Sequence, residues 1–253
     1  MSMAGPEDEN PGPATVAAFD FDGTVTRGAS TVPFLIAVRG LLPVAVALAW
    51  TLPQLIRAAV LSGSAADEYK EKLFVRLLRG MTDEELSRKG RAFASNHLAL
   101  RLRPEVRRRI EWHRQQGHLV VLVSASIEHY IAPAGEILAV DGVLATRLAV
   151  DAAGIVSGRF DGKNCRGAEK FGRVVGWLRA NGLAGADQPQ VVLWAYGNSR
   201  GDAWLLGAAD HGVDAGRLGK LGALHRFPSL ASLEAPRTRP PDPGPPAPGD
   251  PGS

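Results

Sequence analysis

Three short apolar runs, each cut off by a polar residue, constrain this chain more than any other feature. Thr15-Val16-Ala17-Ala18-Phe19 stops at Asp20. His118-Leu119-Val120-Val121-Leu122-Val123 stops at Ser124. Val191-Val192-Leu193-Trp194-Ala195-Tyr196 stops at Gly197-Asn198. Continuous apolar runs rich in branched residues read as strands buried on both faces. Residues 104–116 read as a helix, with Pro104 in its first turn and Gly117 just past its end. Helical periodicity returns over 167–181 and near 201–209. Alternating strands and helices predict an α/β fold, a parallel sheet with helices on both faces. Ligands of such sheets bind at the carboxyl ends of the strands.

Two segments break this rhythm. Residues 31–100 are helical in composition and carry no strand signal, which predicts an inserted helical cap. Residues 143–160 (VLATRLAVDAAGIVSGRF) read as paired strands around Asp151-Ala152-Ala153-Gly154. Residues 14–30 and 101–233 then form the core. Residues 1–13 and 234–253 are rich in Pro and poor in large apolar side chains, so both are expected to be disordered. The 253 residues, 45% hydrophobic, are enough for a core domain with one insertion.

The polar strand ends carry the chemistry. The first is Asp20-Phe21-Asp22-Gly23-Thr24, the second Ser124, the third Gly197-Asn198-Ser199-Arg200-Gly201-Asp202. Lys170 sits just inside a predicted helix start. In a parallel sheet these ends converge on one crevice. Carboxylates, a hydroxyl and an ammonium there suit phosphoryl chemistry. One Asp can attack phosphorus, and a second can protonate the leaving oxygen and activate water. Magnesium would shield carboxylate from phosphate, and Lys and Ser would hold phosphoryl oxygens. Each element alone is weak, because an Asp-x-Asp or a Ser after a strand is common. The four in this order are much harder to obtain by accident.

The set resembles the haloacid dehalogenase superfamily of phosphatases. Phe19 to Thr26 is similar to its first motif and Val121 to Ser126 to its second. Gly167 to Lys170 is similar to its third, and Tyr196 to Asp202 to its fourth. The helical insertion between the first two motifs resembles the phosphoserine-phosphatase-like branch, subfamily IB. The resemblance implies a Rossmann-like core and Mg2+ as cofactor. It implies Asp20 as nucleophile and metal ligand, and Asp22 as general acid and base with its carbonyl on the metal. Thr24 would position Asp22 and belong to the phosphate-binding set with Ser124 and Lys170. Asn198 and Asp202 would complete the metal site. The family usually has Asp at position 198, so the Asn predicts weaker magnesium binding, or a larger share for Asp202.

The expected substrate is a small or lipid-like phosphomonoester. The stretch Arg27-Gly28-Ala29-Ser30-Thr31 lacks the acid with which phosphoserine phosphatases grip an amino group, which argues against phosphoserine. Residues 40–56 (GLLPVAVALAWTLPQLI) contain no charge and carry Pro43 and Pro53. Three readings compete: helices packed in the cap, an interfacial segment making peripheral membrane contact, or a membrane span. Six arginines within 101–114 read mostly as an exposed helix face, and without an aromatic platform no nucleic-acid partner is expected. His113 and His118 read as surface or packing residues. The lone Cys165 reads as inert, and no His/Cys spacing predicts zinc. The N-terminal stretch shows no charged and then apolar leader, so a cytoplasmic protein is expected, with membrane association through residues 40–56 as a variant. Two other functions stay open: a catalytically weak binder of phosphate or lipid headgroups, and a phosphotransferase to an acceptor other than water.

Overall fold

The computed structural model describes residues 13–61, 64–184, 191–216 and 222–233. The two ends expected to be disordered lie outside these residues, residue 13 excepted. The core sheet is built from β1 (Thr15–Phe19), β2 (Leu119–Ile127), β3 (Gly142–Thr146), β6 (Val192–Gly197) and β7 (His211–Asp214). Its order is β3-β2-β1-β6-β7, and every pairing is parallel. The chain leaves β1 for β2 on one side and returns to β6 on the other. The crevice beyond the end of β1 is therefore the switch point at which such sheets bind ligands.

Successive β1 residues face opposite layers, as a two-residue period requires. Ala17 and Phe19 enter one apolar cluster with Val106, Ile110 and Tyr130. Val16 and Ala18 enter another with Val174, Leu178 and Leu205. The first layer holds α5 (Pro104–Gln115) and α6 (Glu128–Leu138), and the second holds α7 (Ala168–Ala180) and α8 (Ala203–Ala208).

Between β1 and α5 stand α1 (Thr31–Arg39), α2 (Leu41–Leu61), α3 (Ser64–Leu78) and α4 (Asp83–Arg101). They form the inserted helical cap. Thr82 caps α4, its hydroxyl accepting from the Glu85 N–H at 3.2 Å, and Asp83, Glu84 and Glu85 meet the positive helix end. The hairpin of β4 (Leu148–Val150) and β5 (Val156–Phe160) packs on α3. A Cβ at Gly158 would lie 2.5 Å from the Val75 Cα, so only glycine permits this approach.

Several expectations need correction. Residues 143–160 are not one hairpin: 142–146 join the core sheet beside β2, and only 148–160 pair around the turn. The chain breaks at Arg147, and the buried face of β3 is covered by α6. That helix was missed because Pro133 and Gly135 interrupt its signal. β2 does not end at Ser124. It runs to Ile127 through an irregularity in register. Prolines do not break α2, which is continuous through Pro53. Among the described residues no helix is long and apolar enough to cross a membrane, so the spanning reading of 40–56 falls. Not all the arginines of 101–114 are exposed: Arg103 and Arg109 are buried. For His113 the packing reading holds: it is buried, bonded to the Tyr196 hydroxyl at 2.9 Å and to His118 at 2.8 Å.

Candidate active site

The ends of β1, β2 and β6 and the first turn of α7 meet at one point. Lys170 Nζ donates to Asp20 Oδ1 and to Asp202 Oδ1, both at 2.6 Å. All three side chains are nearly inaccessible to solvent. A lysine at the positive end of a helix is electrostatically misplaced. Burial pulls its pKa down, but the two buried carboxylates outweigh that, hold it above the ordinary lysine range and explain why it is tolerated. One carboxylate charge is left over. Burial first, then the like charge of Asp202, push the Asp20 carboxyl up to about 7, while Lys170 opposes the shift. Asp202 goes the other way. Lys170 and the bonds from Ser199 outweigh its burial and hold its pKa below the usual carboxylate range.

Asp20 is fixed from three sides. Its N–H donates to the Tyr196 carbonyl at 2.9 Å, tying β1 to β6. The Thr24 hydroxyl donates to Asp20 Oδ2 at 3.0 Å. Thr24 was expected to position Asp22 and to touch phosphate, but its fully buried hydroxyl proton goes to Asp20. Asp22 Oδ1 accepts from the Ser30 N–H at 2.7 Å and Oδ2 from the Ser126 hydroxyl at 2.5 Å. The Ser124 hydroxyl is buried at the same end of β2 and accepts from the Ser126 N–H at 3.1 Å.

The fourth segment divides its labour. Asp202 Oδ2 accepts from the N–H groups of Asn198 and Ser199, at 3.1 and 3.0 Å, and from the Ser199 hydroxyl at 2.8 Å. With Oδ1 on Lys170, both oxygens are occupied in shaping the loop. Asn198 faces β1 instead. Its amide oxygen points at the Asp22 carbonyl and at Asp20 Oδ2. Turned over, the amide nitrogen would stand 3.1 and 3.2 Å from them. The amide either donates to both oxygens or sets its own oxygen beside them as a set of three. A hard cation with oxygen ligands fits that set and would balance the surplus charge on Asp20. Among the described residues no three His, Cys, Asp or Glu side chains are grouped to hold a metal. The set is mixed: a carboxylate, a main-chain carbonyl and an amide. Gly23 keeps it open, because a Cβ there would lie 2.0 Å from Asn198 Nδ2.

Five contributors left no signal in the sequence. Ser126 and Ser30 hold Asp22, and Tyr130 hydrogen-bonds the Ser30 hydroxyl at 2.9 Å. Ser126 stood inside the second motif, but a second serine there carries no separate signal. Arg103 donates to the carbonyls of Gly23, Thr24 and Ala215, at 2.8, 3.2 and 2.6 Å, and so fastens the loop after β1. Lys70 reaches in from α3 of the cap and donates to the Ala125 carbonyl at 2.6 Å. Burial pulls its pKa down to about 8, against the pull of Asp22 and Asp67. Asp67, one helical turn away, accepts from the Asn164 amide at 2.6 Å. Both residues lie on the face of α3 turned to the core. Cys165 is buried and its thiol is raised to about 11, so it takes no part.

A buried Asp–Lys–Asp cluster at the switch point of a capped Rossmann-like sheet is the centre of a hydrolase-type site. The sequence model of the haloacid dehalogenase-like hydrolases matches residues 17–206. The chain belongs to that family. It is 31% identical over 199 residues to Protein CicA of Caulobacter vibrioides strain NA1000 / CB15N, covering 77% of this chain and 83% of that protein. Among solved structures it is similar to a protein of unknown function from Bordetella pertussis Tohama I. The TM-score is 0.67 at 23% identity, over 80% of this chain and 90% of that one. It is also similar to a structure described as the phospho-aspartyl intermediate analogue of phosphoserine phosphatase. There the TM-score is 0.53 at 16% identity, over 80% and 86% of the two chains. Both structural likenesses concern the fold.

Proposed function

We propose that the chain hydrolyses a phosphomonoester through an aspartyl-phosphate on Asp20, with Mg2+ as cofactor. One observation carries this reading: Lys170 bridges Asp20 and Asp202 at 2.6 Å, all three buried at the switch point of the sheet. Both oxygens of Asp20 are held, Oδ1 by Lys170 and Oδ2 by Thr24, so the carboxylate is fixed in place to attack phosphorus. The P–O bond forms there as the ester oxygen leaves, and Asp22 gives that oxygen a proton. Asp22 then takes a proton from the water that attacks the phosphoryl-aspartate, releasing phosphate and restoring the Asp20 carboxylate. Ser30 and Ser126 hold Asp22 in line. Lys170 and Ser124 supply donors to the phosphoryl oxygens. Asp20, the carbonyl of Asp22 and Asn198 would hold the magnesium, which supplies charge neutralisation at the phosphoryl group. Asp202 stands behind them as a positioning residue. The phosphorylated-aspartate analogue among the structural neighbours is consistent with this route.

Release of phosphate from p-nitrophenyl phosphate, titrated with Mg2+, tests the reading. Asn198→Asp restores a formal charge to the set and is expected to tighten half-saturation by Mg2+ about tenfold. Absence of turnover at any Mg2+ concentration would overturn the assignment, and an unchanged midpoint would remove Asn198 from the metal set.

The cap ammonium yields a second prediction. Lys70 is bonded to the carbonyl of Ala125, next in the chain to Ser124, and is expected to orient the phosphate end of the substrate. Lys70→Met should lower kcat/KM about 10–100-fold, the worth of one or two hydrogen bonds to a charged group. The ammonium is present below its pKa of about 8 and lost above it, so wild-type kcat/KM should fall on the alkaline side near 8. A pH profile of both proteins checks this. Survival of the same alkaline limb in Lys70→Met would assign the limb to another group.

A further inference from the structure

The helix α2 is only half accounted for by packing. Val44 and Ala47 are buried against the cap. On the other side Leu42, Val46 and Trp50 follow one another at i, i+4 and i+8, and are 74%, 51% and 69% exposed. Leu41 extends the stripe at its start. These four are half of the large hydrophobic side chains standing exposed among the described residues. Such a stripe is a surface in search of an apolar partner.

Its border says which partner. The Arg76 guanidinium lies 5.1 Å from the centre of the Trp50 ring. A cavity of about 550 Å³ beside Trp50 is lined by Lys72, Arg76, Arg79 and Arg159, with Glu68 and Glu71 on the same wall. Glu71 is already occupied, accepting the Phe160 N–H at 2.9 Å. At the start of the helix, Arg39 donates to the Leu77 carbonyl and so stands on the same flank. The basic side chains outnumber the acids around the apolar stripe. A second copy of the chain, docked face to face, would set this arginine rim against its own. An anionic lipid surface offers acyl chains to the stripe, carboxylate and phosphate groups to the rim, and an interface of the polarity that Trp prefers.

We infer that the exposed stripe of α2 with its basic rim is a docking surface for an anionic membrane. The helix lies on the bilayer and does not cross it. The inference stands independently of the reaction at Asp20.

Co-sedimentation of the full chain with vesicles tests it, using phosphatidylcholine alone and phosphatidylcholine mixed with phosphatidylglycerol. Binding is expected to the mixed vesicles only, and to weaken as salt rises. Leu42→Glu with Val46→Glu should abolish it. Arg76→Gln with Arg79→Gln should weaken it about 25-fold, at roughly fivefold per basic residue. Melting curves and turnover of a soluble phosphomonoester, unchanged in both double variants, show that the fold is intact. Absence of binding to mixed vesicles at low salt overturns the inference. So does binding that survives the Glu pair. Self-association lost with the Glu pair, with no vesicle binding, would assign the stripe to a second copy and equally overturn it.

Discussion

Asp20→Asn is expected to lower kcat on p-nitrophenyl phosphate by about 10⁴-fold or more, the scale seen when a nucleophile is removed. The amide matches the carboxylate in shape, so Lys170 keeps Asp202 and the Thr24 hydroxyl keeps an oxygen partner. What disappears is the anionic oxygen that attacks phosphorus. Stability should move the other way. The Asp20 carboxyl titrates near 7 in the folded chain against 3.8 ordinarily, so the folded state holds the proton more tightly than the unfolded one. Folding therefore loses stability as pH rises from about 4 to about 7, and the loss is complete above that. The neutral amide escapes this cost. In metal-free buffer above pH 7, Asp20→Asn should melt at a higher temperature than wild type. Chelation and thermal melts at several pH values measure this directly. Turnover within tenfold of wild type would exclude covalent catalysis at Asp20.

Lys170→Met should fail in both respects. It leaves two carboxylates, 8% and 1% exposed at the side chain, facing each other without a cation. Breaking such a buried set typically costs about 3–5 kcal/mol. Urea unfolding should report a loss of that order in metal-free buffer. Turnover should fall about 10³-fold with the missing donor at the phosphoryl group. Adding Asp202→Asn removes one stranded charge. The double variant should regain most of the stability and none of the turnover. If turnover returned with stability, Lys170 would be a structural counter-ion only.

Whether a feature is legible in the sequence depends on distance along the chain. The runs ending at Asp20, Ser124 and Asn198 were legible because strand burial writes itself into consecutive residues. The Asp-x-Asp and the final Asp were legible because each sits at a fixed offset from such a run, and the lysine because it stands at the start of a helix. The holders of Asp22 were not. Ser126 and Asp22 are 104 residues apart, and Lys70 and Ala125 are 55 apart. A serine or lysine that acts through a partner so remote leaves no local pattern. Arg103 was misassigned for the same reason. Its neighbours Arg107 and Arg108 are exposed on α5, while it turns inward to three carbonyls.

By itself the sequence determined the alternation of buried strands and helices, the order of the polar strand ends, and hence the kind of chemistry they can perform. Strand formation and turn chemistry are local, so they are encoded within a few residues. Only the tertiary structure decided how the labour is divided. It set Thr24 on Asp20 rather than Asp22, turned Asn198 toward the converging oxygens and Asp202 toward the loop, and brought Lys70 in from the cap. It also left one face of α2 bare beside an arginine rim. Those outcomes depend on which helix covers which sheet face, and that is fixed by packing between segments far apart in the chain.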